Sequence, residues 1–231
     1  HRAIMLSATY GQSTRFNARA ATADPENRLQ WRMDRRRLSA EELRDALLMV
    51  GQGLDRRFGG SLMTVKNRAY VTGTGHNMKT DVYDNSRRSI YQPVVRSALL
   101  DIFQAFDFAN PTLPSGDRVT TTIAPQALFL MNGLLVDKQS NAIAKRILDH
   151  SPVQSTRLTS LYQSLLGRLP QNDEIQLASR FLSDYRNAAS LVDDHNSHTN
   201  QNSTEQVSSE MRAWRALCRV LLASTEFVYV E

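Results

Sequence analysis

The stretch LYQSLLGRLPQNDEIQLASRFLSDY, residues 161–185, decides the class of fold. Together with Leu158, the residues Leu161, Tyr162 and Leu165 recur at helical spacing and mark one apolar face. Gly167 is the residue type that ends helices in the left-handed conformation, and Pro170 stands where a new helix can open. Ile175, Ala178, Phe181, Leu182 and Tyr185 then begin a second stripe of the same period. Two helices joined by a short turn form an αα-hairpin. Asp173 and Glu174 in the first turn of the second helix suit the positive end of its dipole, so this acidic pair reads as structural.

Helical patterning continues on both sides. Ala124 to Asn132 is a strongly apolar helix start, and the pattern resumes past Gly133 through Ile143, Ile147 and Leu148. Downstream, DDHNSHTNQNSTEQ (193–206) has almost no apolar residue and reads as a mobile linker. Val207, Met211, Trp214, Cys218 and Leu221 predict a last core helix, and FVYV a short extended tail.

The first half is less regular. Ser39 with Glu42 forms a capping box, followed by Leu43, Ala46, Leu47, Val50 and Leu54 on one helical face. Asp24-Pro25-Glu26-Asn27 reads as a cap and first turn of a helix through Leu29 to Met33. Residues 59–88 turn polar, with a short strand or hairpin expected around Leu62 to Val71. Ser89 to Val95 alternates like a strand, which Pro93 confines to an edge. A helix around Leu99 to Phe106 and a loop through FANPTLPSG follow. The expected fold is mainly α: a helical domain with a small β hairpin or sheet from 60–96 and a C-terminal α-hairpin subdomain. Its lobes divide at 1–118 and 119–231, or merge into one continuous domain.

Composition narrows the function. The 231 residues include 41% hydrophobic ones, enough for a sizeable core. The net charge of +5 comes with only 22% charged residues, short of the dense basicity of a nucleic-acid binder, and no nucleic-acid partner is expected. Residues 1–118 hold 18 Lys+Arg against 12 Asp+Glu, and residues 119–231 hold 10 against 11, so the surplus is N-terminal. There are 24 arginines and four lysines, which favours bidentate pairing with carboxylates or oxyanions. The single Cys218 excludes an internal disulfide and Cys-rich metal frameworks, and no cofactor is expected in this segment. No apolar run reaches the length of a membrane span. The chain starts at His1 without a basic and apolar leader and is expected to be part of a longer protein.

Motifs for chemistry are few. GTGHNMKT (73–80) has Met78 where a phosphate loop needs glycine before Lys-Thr. His195 and His198 with Asp193 and Asp194 lie in the polar linker, too loose for a metal site, so no metal is expected. Glu41 and Glu42 open a helix, where the dipole explains them, and Cys218 sits on an apolar helical face where a thiol is inert. Two stretches remain. Arg35, Arg36 and Arg37 precede the Ser39 cap; they would hold an anion at the helix start or brace the junction by pairing with Asp34, Glu41, Asp45 or distant acids, and the brace is the favoured reading. SATYGQSTRFN (7–17) is polar and aperiodic like a binding loop: Tyr10 and Tyr91 offer flat faces to sugar rings, and Gln12, Asn17 and the arginines offer directed hydrogen bonds.

In order, HRAIMLSATYGQST, DPENRLQWRMDRRRLSAEELRDALL, RSIYQPVVRSALLDIFQAFDFANP, TTTIAPQALFLMNG, LYQSLLGRLPQNDEI and LLASTEFVYVE resemble the C-terminal domain of unknown function in large secreted planctomycete proteins. The resemblance spans nearly the whole chain; the GRLPQND turn lacks the Thr-Pro cap common there, and the 73–87 loop looks variable. It implies a periplasmic or secreted multidomain parent with upstream domains, often a cytochrome-c-like module, and it brings no catalytic residues. The expected role is therefore an interaction or scaffold module that docks its upstream domains and holds an anionic polysaccharide. The alternative is a polysaccharide-acting hydrolase or redox-linked enzyme whose site forms only with an upstream domain.

Overall fold

The structure is a computed structural model that describes residues 1–60, 62, 83–94, 99–114, 116, 118–196 and 208–230, with only the backbone given for 189–196. The described residues form ten α-helices: α1 (Arg2–Met5), α2 (Ala18–Ala23), α3 (Ala40–Val50), α4 (Asp101–Ala105), α5 (Ala124–Asn132), α6 (Leu134–His150), α7 (Gln154–Leu166), α8 (Asn172–Asn196), α9 (Ser209–Leu222) and α10 (Thr225–Val228). One two-stranded antiparallel sheet pairs β1 (Arg36–Arg37) with β2 (Tyr229–Val230). The fold is mainly helical with a small sheet, as the patterning predicts.

The core centres on α6 and α9. Val136, Ile143, Ala144 and Ile147 of α6 meet Ala213, Trp214, Leu217 and Cys218 of α9, and Trp214 is only 2% exposed. The same cluster takes in Leu43 and Leu47 of α3, Ile102 and Phe103 of α4, Leu158 and Leu161 of α7 and Leu182 of α8, so both halves of the chain share it. The αα-hairpin forms as its sequence dictates. Gly167 ends α7 at φ 70°, its N–H donating to the Gln163 carbonyl, and α8 begins two residues past Pro170.

Three expectations need correction. The described sheet takes no strand from 60–96: the strand or hairpin expected over Leu62 to Val71 lies largely outside the described residues, and in the strand expected over Ser89 to Val95 the residues Ser89–Tyr91 are a turn of 3-10 helix. The cause is side-chain capture of the backbone. Arg44 donates to the Arg87 and Asn85 carbonyls, both at 2.7 Å, while the Asp45 carboxylate accepts from the Ser89 N–H and hydroxyl, both at 2.7 Å. Those backbone groups are no longer available to a ladder. The sheet instead uses the two ends of the chain, with Arg36 opposite Val230 and Arg37 opposite Tyr229, so FVYV is half helix (Phe227 and Val228) and half strand.

The third correction concerns the helix expected over Leu29 to Met33. Those residues form turns, and the helix lies earlier, over Ala18–Ala23, capped by Asn17. The Asp24 carboxylate folds the chain back by accepting from the N–H groups of Arg28 (3.0 Å) and Leu29 (2.8 Å), and Asn27 and Gln30 take φ 54° and 55°. Two left-handed residues within four cannot belong to an α-helix, and Asp and Asn side chains stabilise such turns.

Candidate functional site

The three consecutive arginines part company in the structure. Arg36 lies on β1 and donates both terminal nitrogens to Glu42, each at 2.8 Å. Glu42 also closes the capping box, accepting from the Ser39 N–H at 2.8 Å while its own N–H donates to the Ser39 hydroxyl at 3.3 Å. The Arg36 fork, together with the Ser39 donors and against the effect of burial, brings the Glu42 carboxyl down to about 2. Arg37 points inward with 5% of its side chain exposed. It donates to Asp107 at 2.7 Å and to the Thr121 carbonyl, and lies 5.5 Å from the centre of the Phe106 ring. Burial works to raise the Asp107 pKa, but donors from the Thr121 backbone, Arg37 and the Thr121 hydroxyl prevail and hold it below the usual range.

Arg35 faces a pocket of about 430 Å³ that it lines together with Ser13, Thr14, Arg15, Phe16 and Arg32. Local folding assembles it. The Met33 N–H donates to the Ser13 carbonyl at 3.0 Å, which lays the 13–16 segment alongside the 32–35 segment. The turn at Asp24–Gln30 returns the chain, and the Trp31 indole N–H locks that turn by donating to the Asp24 carbonyl at 2.9 Å. Trp31 and Phe16 meet edge to face at 6.1 Å, and the Arg32 guanidinium lies 5.0 Å from the Trp31 ring centre and 5.9 Å from that of Phe16. The Arg32 Nε–H is buried without an acceptor.

Several other arginines are taken up by carboxylates. Arg118 pairs with Glu41, Arg157 with Glu210, Arg168 with Glu174 and Glu226, and Arg215 and Arg219 with Asp137. None of the six described residues lining the pocket is acidic, and neither Arg15 nor Arg32 has an ion-pair partner among the described residues. Three guanidinium groups, two hydroxyls and an aromatic face can hold an oxyanion such as a sulfate, phosphate or carboxylate, since planar forks match oxygen pairs.

Of the other binding residues expected from the sequence, Tyr10 is exposed near the pocket's segment, Gln12 is half-buried beside it, and neither lines it. The Asn17 side chain caps α2, accepting from the N–H groups of Arg19 (3.0 Å) and Ala20 (3.1 Å). Tyr91 belongs to a separate cluster, where its hydroxyl accepts from the Gly59 N–H, Phe58 meets it edge to face, and the Arg87 guanidinium lies 4.7 Å from its ring centre. Phe16 and Arg32 were not anticipated; the mistaken helix over Leu29 to Met33 hid the turn that delivers Arg32.

Among the described residues no group of three His, Cys, Asp or Glu could hold a metal ion. His198 and the GTGHNMKT stretch lie outside them. No helix among them is long and apolar enough to cross a membrane. Burial pushes the Cys218 thiol up to about 12, far from a nucleophile's range. The Glu41–Glu42 pair is held by Arg118 and Arg36.

Residues 1–182 match the model of a family described as PSD1, protein of unknown function (DUF1553). No curated protein and no solved structure matches the chain.

Proposed function

Because the chain belongs to the PSD1 (DUF1553) family, whose description assigns no activity, we propose a role from its own basic pocket: a non-catalytic interaction module that holds an anionic glycan. The observation behind this reading is the convergence of Arg15, Arg32 and Arg35 on one pocket with no acid among its described lining residues. A sulfated or uronate-bearing polysaccharide fits the chemistry, with its anionic groups on the guanidinium forks and a sugar face against Phe16. We place the module in an exported multidomain parent, in line with the family resemblance of its sequence, where it would tether its sister domains to such a polymer.

The test is binding of a sulfated oligosaccharide and of its desulfated counterpart at low and at physiological salt. Arg15→Ala and Arg32→Ala should each weaken the sulfated ligand roughly tenfold. Arg180→Ala, which removes an exposed arginine that is 3.6 Å from Asp184 on α8, should leave it unchanged. Equal affinity for both oligosaccharides, or equal losses in all three variants, would refute a specific anion site.

A further inference from the structure

A second cavity, away from the basic pocket, has the construction of a small-molecule site. It measures about 440 Å³ and lies between α3, α4 and the α5–α6 junction. That size falls in the range of about 300–1,000 Å³ typical of ligand pockets. Leu48, Leu100, Ile102 and Phe129 give it apolar walls.

A buried residue in its lining carries a polar side chain without a partner among the described residues. Gln139 of α6 is nine-tenths buried, and among the described residues its carboxamide makes no hydrogen bond. Its amide atoms are not fully buried: they open on the cavity, where an occupant's polar group can pair with them. Arg44 also lines the cavity, but its terminal nitrogens already donate to Arg87, Asn85 and Ser89.

Two glycines reinforce the point. Gly51 has φ −76° and Gly133 φ −64°, conformations open to any residue, so the backbone does not require glycine at either place. Space does. A Cβ at Gly51 would come within 1.9 Å of the Gln139 Oε1, and one at Gly133 within 2.6 Å of the Phe129 carbonyl oxygen and 3.3 Å of its ring. Gly51 thus makes room for the Gln139 carboxamide, while Gly133 makes room chiefly for the Phe129 carbonyl. With Oε1 seated against Gly51, the amide N–H groups are the donors left to offer.

From this convergence we propose that the cavity binds a neutral, largely apolar small molecule whose carbonyl oxygen accepts a hydrogen bond from Gln139. Neutrality follows from the described charged lining residues, among which Arg44 and Lys138 balance Asp84 and Asp101. Lys138 and Asp84 stand 3.9 Å apart with most of both side chains exposed, so they mark the solvent side.

The probe is 6-propionyl-2-dimethylaminonaphthalene, a neutral fluorescent ketone, compared with 2-dimethylaminonaphthalene, which lacks the carbonyl. The ketone should bind at one saturable site with blue-shifted emission. Gln139→Leu should weaken it roughly fivefold and leave the carbonyl-free compound unchanged. Gly51→Ala displaces the carboxamide without altering a lining residue, and it should produce the same selective loss if Gln139→Leu fails to fold. Non-saturable binding, unchanged ketone affinity in the folded variants, or equal losses for both compounds would overturn the proposal.

Discussion

Replacing Arg37 with alanine should separate the three neighbouring arginines by their energetic roles. Arg37 is nearly enclosed, and its partner Asp107 has 20% of its side chain exposed. Breaking a buried ion pair by removing one member costs about 3–5 kcal/mol, mainly because the other charge is stranded. Here the stranding is incomplete. Asp107 keeps the Thr121 N–H at 2.8 Å and the Thr121 hydroxyl at 2.8 Å, and the Thr121 carbonyl keeps the Gln126 amide at 3.1 Å. The cost therefore belongs at the low end, about 3 kcal/mol, including the cation–π contact with Phe106. For a chain of this size about 1 kcal/mol shifts Tm by roughly 2–4 °C, so Arg37→Ala should melt about 6–12 °C below the parent.

Arg36→Ala is the internal comparison. Its pair with Glu42 is half-exposed on both sides, and Glu42 retains its bond from the Ser39 N–H. Exposed pairs contribute about 0–1 kcal/mol, so the loss in Tm should stay below about 4 °C. Arg35→Ala removes an exposed side chain, so its loss in Tm should likewise stay below about 4 °C while it weakens the sulfated oligosaccharide. Calorimetric melting of the three variants reads the order directly. An Arg37→Ala protein melting within about 2 °C of the parent, or an Arg36→Ala protein falling as far, would refute the assignment of Arg37 as the brace.

Acid should destabilise the protein in a defined window. Glu42 is lowered from 4.5 to about 2, chiefly by Arg36, and Asp137 and Glu174 are lowered chiefly by hydrogen bonds from Arg215 and Arg168. A carboxyl whose pKa is lower in the folded state gives its full stabilisation above its unfolded value and loses it as pH falls through the folded one. Tm should thus decline from near pH 4.5 towards pH 2, more shallowly in Glu42→Gln, and a Tm unchanged down to pH 3 would contradict it. Cys218 is fully buried with its thiol pushed up to about 12, so a maleimide should label it only after unfolding. Labelling of the native protein as fast as a free peptide thiol would show that the α6–α9 core opens.

The helical half of the fold was legible because its signals are local. The stripes Leu158 to Leu165 and Ile175 to Tyr185 depend on residues within two turns, and Gly167 needs only its own φ of 70°. The sheet was not legible, because β1 and β2 lie almost two hundred residues apart and each is two residues long. Nothing in RR marks a strand, and YV, expected to be extended, does not name its partner; their pairing is set by α3 and α10, with the Leu38 N–H donating to the Val228 carbonyl at 2.8 Å. The Ser89 segment failed for a related reason. Its alternation is real, but the buried Arg44 guanidinium, reaching across from α3, takes the carbonyls that precede it.

The site was half legible, and the missing half shows what separates a binding arginine from a brace. The polar aperiodic segment drew attention to Ser13 and Arg15, and the basic run to Arg35, yet sequence alone made Arg35, Arg36 and Arg37 equivalent. Glu42 reaches Arg36 from the next helix and Asp107 reaches Arg37 from seventy residues away, while Arg35 lines the basic pocket. Elsewhere, too, carboxylates take up arginines, so the N-terminal excess of basic residues has to collect where acids are lacking. The turn at Asp24–Gln30 creates such a place, because Asp24 and Asp34 are drawn into turn hydrogen bonds, Asp24 with backbone N–H groups and Asp34 with the Asn27 amide. The fold thus concentrates cationic surface by assigning its nearby acids to backbone geometry, which neither composition nor charge spacing reveals.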